Sequence, residues 1–485
     1  MTSPMVRSGA WVALDNLSAA VLSFLFFVIT ARFLSPVEFG IAAIALSLTQ
    51  LVQPAIDSLF HDAIIQKKSL SKSDVAATAT FNLAWSCLLA LALCGLSPAI
   101  ASLFAIPELA TYLPWMGLCF VASGFAAVPS AEARREMKFR WLAIRTIAGR
   151  LLGVAVGLWM LRQGYGVWAV IAQAVLSSVS SAVLLIAATG IRLGRTPSAV
   201  LRPLLLFSAP LIGTQLLQFG SSRLVTLIIG ATLGPVASGT WNVAFRFIEP
   251  FHIMLATIFG QVTLPLLSRR QEEIRALRRY FLVSVRLIAM FACPAFVGLA
   301  LVAPDLIQIF VGEKWAAAAP LTRVVAVVTM LLLLRQAAEI TLTAAGHPKF
   351  TFYTHAASVF LSTVGTALGA LLGLLPAVIG WSSRALPFLT INIRFVARQI
   401  GITMPQQLAP AVAPLLACCA MAAAVVLLRT HVPANPLVLM LSSAAVGAPV
   451  YLLALFAIDR RARIETAYLY KLRRDRMLQQ REESS

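Results

Sequence analysis

Apolar residues run through this chain in long blocks, separated by short joints rich in proline, glycine and charge. They follow neither the one-sided stripe of a surface helix nor the alternation of a half-buried strand. The blocks begin near Ala10, Glu38, Val75, Thr111, Leu142, Gly166, Leu204, Val236, Tyr280, Ala318, Phe352, Ala377, Ala409 and Pro436. Each is about 20 residues long, enough to cross ~30 Å of hydrocarbon. Inside lipid every backbone N–H and C=O needs a partner within its own segment, so each block is predicted to be a helix. The alternation of a transmembrane barrel is absent from stretches such as Ala417 to Leu428. The predicted fold is all-α, a polytopic membrane protein of about fourteen transmembrane helices. The connections are too short to hold a separate folded domain.

The pattern repeats. Leu34-Ser35-Pro36-Val37-Glu38-Phe39-Gly40 aligns with Leu233-Gly234-Pro235-Val236-Ala237-Ser238-Gly239. Phe104 and Pro114 align with Phe310 and Pro320, and the glycine ladder Gly149-Gly153-Gly157 with Gly365-Gly369-Gly373. Three matches in order imply a duplication of six spans. An even number of spans sets both copies the same way up, as in transporters that bind substrate between two parallel bundles. The expected organisation is an N-terminal lobe over 1–200, a pseudo-symmetric C-terminal lobe over 201–403, two extra helices over 404–458 and a basic tail over 459–485. Ser35, Pro36 and Glu38 spell a capping box at the start of the second helix. The glycine ladders read as places where helices approach closely.

Composition agrees with the membrane reading. Hydrophobic residues make up 59% of the 485 and charged residues 12%. The net charge of +20 suggests nucleic acid until the basic residues are assigned to loops. Most then fall on one side of the membrane, and Arg32, Arg162, Lys314 and Arg429 on the other. The positive-inside rule places the N-terminus, the tail and the loops containing Lys67-Lys68, Arg134 to Arg140 and Arg269 to Arg279 in the cytoplasm, and no nucleic-acid partner is expected. The first block is expected to be retained rather than cleaved, because Asp15 and Asn16 interrupt it. All six cysteines lie in apolar segments without metal or disulfide spacing.

Several segments together resemble the polysaccharide transporter or O-antigen flippase family, within the superfamily that also holds multidrug extruders and lipid II flippases. They are Arg32-Phe33-Leu34-Ser35-Pro36-Val37-Glu38-Phe39-Gly40, Gly164-Tyr165-Gly166-Val167-Trp168-Ala169-Val170, Asn242-Val243-Ala244-Phe245-Arg246 and Thr263-Leu264-Pro265-Leu266-Leu267-Ser268-Arg269. Ala303-Pro304-Asp305-Leu306-Ile307, Gly312-Glu313-Lys314-Trp315 and Ala344-Ala345-Gly346-His347-Pro348-Lys349 complete the series. The resemblance implies two six-helix lobes, alternating access, and movement of a polyprenyl-diphosphate-linked glycan across a bacterial inner membrane for surface polysaccharide synthesis. The basic tail most simply makes a solvated helix attracted to anionic lipid heads, with docking to a polysaccharide polymerase or glycosyltransferases as the alternative.

An ionised side chain deep in the bilayer costs at least ~2.5–3.5 kcal/mol, so those retained face a cavity or a partner. Arg223, Arg246, Glu249, Arg335, Glu339 and Arg384 stand inside apolar blocks. Asn242, Arg246 and Glu249 share a helical face, as do Arg335, Glu339 and Thr343; Gln215, Gln218 and Ser222; and Ser47, Gln50, Pro54, Asp57 and His61. These stripes predict a wet central cavity. Arg223, Arg246, Arg335 and Arg384, with Gln215, Gln218 and Asn242, are the candidate substrate-binding set. A guanidinium fork suits a diphosphate because it donates two parallel hydrogen bonds and stays charged. The bland alternative is internal pairing, Arg246 with Glu249 and Arg335 with Glu339, one turn apart. Asp57, Glu249 and Glu339 are candidate sites for coupling to H+ or Na+, and no other cofactor is expected.

Two further readings remain open at this stage. A small organic-cation extruder of the same fold would line its cavity with acids. A membrane-embedded glycan polymerase would need an acid pair, a metal cluster or a nucleophile with its base. The sequence has no Asp-x-Asp and no His-Glu-x-x-His, and His61, His252, His347, His355 and His431 are scattered. No catalytic residue and no metal site are therefore assigned, and the chain is expected not to be an enzyme.

Overall fold

The structure is a computed structural model that describes residues 4–67, 71–190, 193–194, 198–268, 274–431 and 435–459. The predicted tail beyond 459 lies outside the described residues. Among them the regular elements are helices, in the order α1 (Pro4–Phe33), α2 (Pro36–Val52), α3 (Pro54–Asp57), α4 (His61–Gln66), α5 (Lys72–Phe104), α6 (Leu109–Arg135), α7 (Phe139–Arg162), α8 (Val167–Thr189) and α9 (Ser198–Arg246). There follow α10 (Glu249–Ser268), α11 (Ile274–Phe310), α12 (Ala318–Ala344), α13 (Pro348–Ala370), α14 (Leu374–Ser382), α15 (Ala385–Ile400), α16 (Met404–Arg429) and α17 (Pro436–Ile458). The all-α fold of a multi-pass membrane protein is as predicted.

Among the described residues, 12 helical stretches are long and apolar enough to cross a membrane, against the predicted count of about fourteen. The difference has identifiable causes. The seventh and eighth blocks fall in α9, which is two helical stretches meeting at a kink at Gly234, where φ is 82° and ψ 178°, and the apolar stretch Leu201–Leu217 within it falls short of a full span. The block at Phe352 becomes α13, whose threonines, serines and histidine dilute its apolar character. Elsewhere local chemistry sets the boundaries. Ser35 caps α2 as a complete capping box with Glu38, and Pro36 occupies the first turn.

By proximity the chain groups into two compact units. The first comprises Met1–Arg246, Val311–Ala318 and His355–Ser383, the second Phe247–Phe310, Ala319–Thr354 and Arg384–Ser485. The lobe boundaries at 200 and 403 rest on the sequence repeat and remain a proposal.

In the first unit the glycine ladder of α7 packs on α8. A β-carbon at Gly149 would meet the Ser181 hydroxyl, and one at Gly153 would lie 2.6 Å from the Gln173 carbonyl. Its repeat counterpart on α13 does the same against α14, where Gly365 meets the Gly380 backbone and Gly369 that of Pro376. Both ladders therefore serve as the face on which a helix meets its successor. The Gly312-Glu313-Lys314-Trp315 segment closes the end of α1. Lys314 Nζ donates to the carbonyls of Arg32 (2.8 Å) and Leu34 (2.6 Å), and the Trp315 indole donates to that of Ala31 (2.8 Å). The ammonium thus satisfies orphan carbonyls at the negative end of the helix dipole. Trp315 also meets Phe39 edge-on, with ring centroids 5.1 Å apart.

In the second unit α16 and α17 pack on α11. Arg286 of α11 pairs with Asp459 at 3.0 Å, Asp305 near the other end of α11 pairs with Arg429, and between them Tyr451 Oη donates to the Met290 carbonyl at 2.9 Å. From Arg286 to Asp305 the helix rises about 28 Å at 1.5 Å per residue, close to one hydrocarbon thickness. The two ion pairs thus stand about one bilayer core apart.

Candidate functional site

The second block was predicted as one continuous span, and the structure breaks it. Pro54 has no N–H to give the carbonyl one turn back, so α2 stops and only the four-residue α3 and the short α4 follow. Trp85 of α5 holds the break by donating its indole N–H to the Ala55 carbonyl at 3.3 Å. Irregular backbone at membrane depth is tolerated where it lines a polar cavity. Such a cavity, about 670 Å³, opens there within the first unit.

Its walls come from α1, through Ser23, from the broken second span and from α6, α7, α8 and α9. Gln50, Gln53, Asp57, Ser58 and His61 line it from the broken span, Ser123 and Arg134 from α6, and Arg145 and Arg150 from α7. Gln173, Ser177, Ser178 and Ser181 of α8 form a hydroxyl and amide wall, and Gln215 and Arg246 of α9 complete it. Gln53 Nε2 donates to the Ser123 hydroxyl, joining the broken span to α6 in the cavity wall. Arg150 Nη1 reaches the Ala19 carbonyl at 3.2 Å and the Ser23 hydroxyl. His61 Nδ1 lies 3.0 Å from the Asp62 carboxylate. Two smaller hollows adjoin. One of about 100 Å³ is lined by Arg223, Asn242 and Arg246; the other, about 300 Å³, by Asp57, Gln215 and Arg223. Both share Gln50 with the main cavity. Arg246 lies over the Phe27 ring at 5.9 Å, and Asn242 Nδ2 donates to the Thr226 hydroxyl and the Ser238 carbonyl, each at 3.2 Å.

Of the predicted residues, Arg223, Arg246, Asn242, Gln215 and Asp57 are thus brought together, while the side chain of Gln218 lies outside the described residues. The others belong to the second unit. Glu249 begins α10. Arg335 Nε contacts Glu339 Oε1 at 2.9 Å on α12, the internal pairing weighed from sequence. Glu339 also acts electrostatically on Arg384, whose own helix offers it no acid within a turn. Sequence reasoning missed Arg134, Arg145 and Arg150, the first because it reads as a loop charge. The signal for the other two was present: guanidiniums within an apolar block, next in sequence to the run of serines on α8.

A cavity lined by guanidiniums, amides and hydroxyls inside an apolar helical shell suits a polar, anionic ligand. Residues 29–320 match the model of a family described as polysaccharide biosynthesis protein. The chain belongs to that family. Among relatives of this family member, the succinoglycan biosynthesis transport protein ExoT of Rhizobium meliloti is 26% identical over 65% of this chain and 64% of its own length. An uncharacterized membrane protein in the cps region of Klebsiella pneumoniae is 26% identical over 64% of this chain and 65% of its own. The chain thus spans slightly less than two thirds of these relatives. A solved structure of the lipid II flippase MurJ, at 15% identity, superposes with a TM-score of 0.72 over 93% of this chain and 99% of that one. At this identity the likeness concerns the fold. The family member therefore shares its helical architecture with a flippase.

Proposed function

We propose that this protein moves a polyprenyl-diphosphate-linked oligosaccharide or polysaccharide precursor across the bacterial inner membrane by alternating access, in the synthesis of a surface polysaccharide. The observation that carries this reading is the cavity of about 670 Å³, whose lining holds Arg134, Arg145, Arg150 and Arg246 but Asp57 as its one carboxylate among the described residues. Guanidiniums suit the diphosphate, the serines and glutamines suit sugar hydroxyls, and the polyprenyl tail stays in lipid. The names of the relatives support the same process. An organic cation would meet repulsion in such a cavity.

The lobes over 1–200 and 201–403 would rock around the cavity, with both termini in the cytoplasm. Asp57, Glu249 and Glu339 remain the candidates for coupling to H+ or Na+, and a polymerase and glycosyltransferases the candidate partners. The protein is assigned transport and no catalysis.

The test is deletion of the gene, with analysis of surface glycan and lipid-linked intermediates, followed by complementation with wild type and with Arg246→Ala and Arg223→Ala. Loss of exported glycan with precursor held on the cytoplasmic side, rescued by wild type and not by the arginine variants, is the expected result. Unchanged glycans and intermediates in the deletion strain would overturn the assignment.

A further inference from the structure

A separate cavity of about 280 Å³ lies in the first unit, where α5 and α7 begin and α6 and α8 end. It shares none of its described lining residues with the main cavity. Ala79 of α5 and Val128 and Ala133 of α6, all buried, give it an apolar floor. Its rim is charged, with Lys72 of α5, Glu132 and Glu136 of α6, and Lys138 just ahead of α7; Thr189 of α8 also lines it. The Lys138 ammonium lies 2.5 Å from Glu136 Oε2. Helix ends mark the level at which hydrocarbon gives way to headgroups, and the joint between α6 and α7 carries the basic run that the positive-inside rule assigns to the cytoplasm.

Glu132 and Glu136 stand one turn apart on one face of α6, so the lining sets two carboxylates against two ammoniums. A simple anion there meets both carboxylates, and a simple cation meets both ammoniums. A ligand that carries both signs is matched. The volume is just under the ~300–1,000 Å³ of drug-sized sites, which suits a small group rather than an oligosaccharide. Among the described lining residues none is aromatic, whereas a quaternary ammonium seeks an aromatic face. A primary ammonium donates three hydrogen bonds and suits carboxylates and a hydroxyl instead. Phosphate joined to a primary amine, at the headgroup level of a membrane, is the chemistry of phosphatidylethanolamine. Val183 and Leu184, exposed on α8 one to two turns deeper than Thr189, offer its acyl chains a path.

We propose that this cavity holds the headgroup of a phosphatidylethanolamine from the surrounding bilayer, with its ammonium between Glu132 and Glu136 and its phosphate on Lys72 and Lys138. The Glu136–Lys138 pair opens to admit it, each partner exchanging the other for the opposite charge of the lipid. The site stands apart from the flippase reading and needs no glycan. Its bearing on transport runs through α6. Ser130 and Arg134 on one face of that helix line the main cavity, while Glu132 and Glu136 on the opposite face line this one. A bound lipid therefore holds the end of the helix that walls both.

The experiment titrates phosphatidylethanolamine, phosphatidylcholine and phosphatidylglycerol with the same acyl chains onto the purified full chain in detergent, and reads dissociation constants by native mass spectrometry. Wild type is expected to hold phosphatidylethanolamine at least about tenfold more tightly than either of the others, tenfold being ~1.4 kcal/mol, the scale of one hydrogen bond to a charged group. Glu132→Gln and Glu136→Gln are each expected to shrink that preference to about threefold or less. Lys72→Met is expected to weaken phosphatidylethanolamine about tenfold. Glu132→Lys is expected to turn the preference toward phosphatidylglycerol, a gain that a folding defect does not produce. Arg162→Ala, an exposed charge at the far end of α7, serves as the control and is expected to keep the wild-type preference. Equal affinity of wild type for the three lipids, tighter binding of phosphatidylglycerol, or a preference untouched by both glutamine variants would overturn the proposal. Soluble glycerophosphoethanolamine, which has the headgroup without the chains, is expected to compete only weakly; competition at the affinity of the lipid would overturn a membrane lipid as the occupant.

Discussion

Gly40 rests on the carbonyl group of Pro235, so closely that a β-carbon at residue 40 would overlap it. The relationship is reciprocal, because a β-carbon at Gly239 would lie 3.2 Å from the Pro36 carbonyl. Pro36 and Gly40 are the first-copy counterparts of Pro235 and Gly239. A contact in which each residue meets the other's counterpart is what a two-fold relation produces. The repeat inferred from sequence thus has a physical meeting point, where α2 packs on α9.

Gly40→Val is expected to be strongly destabilising, by about 1–3 kcal/mol or more, since backbone rather than a mobile side chain blocks the new atoms. Gly95→Val, at a helical glycine with open space around it, is expected to change stability by less than about 1 kcal/mol. Thermal unfolding of the two purified variants in the same detergent checks the contrast.

Trp315 is buried, spans from Phe39 to the Ala31 carbonyl, and belongs to the segment that closes α1. Trp315→Ala is expected to cost about 3–5 kcal/mol through the cavity it leaves. Lys314→Met, which keeps most of the aliphatic stem, is expected to cost about 1–2 kcal/mol, the scale of losing a charged hydrogen-bond donor. Denaturation midpoints for the two variants would test the order, and a Lys314→Met loss as large as that of Trp315→Ala would contradict it.

At the contact of α17 with α11, Arg286 and Asp459 are both largely shielded. Asp459→Ala is expected to lower stability by about 3–5 kcal/mol, because it leaves a shielded guanidinium without this carboxylate. Protease accessibility of α17 in membrane vesicles is the direct readout. The exchange Arg286→Asp with Asp459→Arg is expected to restore much of the loss.

Arg335 and Glu339 offer a test of pairing against ligand binding. Because they contact each other at 2.9 Å, removing both is expected to be less destabilising than the sum of the single losses, with a coupling of about 0.5–3 kcal/mol. A double-mutant cycle on Arg335→Met and Glu339→Gln measures it. Additive single effects would instead release Arg335 for contact with ligand.

The sequence by itself determined the solvent, the element type and most boundaries. Lipid denies the backbone any partner outside its segment, so apolar blocks of this length have to become helices. Ser35, Pro36 and Glu38 act within one turn, which is why the capping box was legible. The break at Pro54 was not read, although its cause is local, because the apolar pattern continues through it. The polar stripes on the second block and on α9 identified Asp57, Gln215, Arg223, Asn242 and Arg246 as cavity candidates, since side chains one turn apart share a face whatever the tertiary packing.

Only the tertiary structure decided which stripes line one cavity. Helical spacing gives the face of a helix and says nothing of its neighbour. It therefore could not show that Arg145 and Arg150 share a cavity with Asp57, that Glu339 acts on Arg384, or that Gly40 meets Pro235. Those relations join residues far apart in the chain, and they are set by how helices pack, which depends on side-chain shape at each crossing rather than on the period of the pattern.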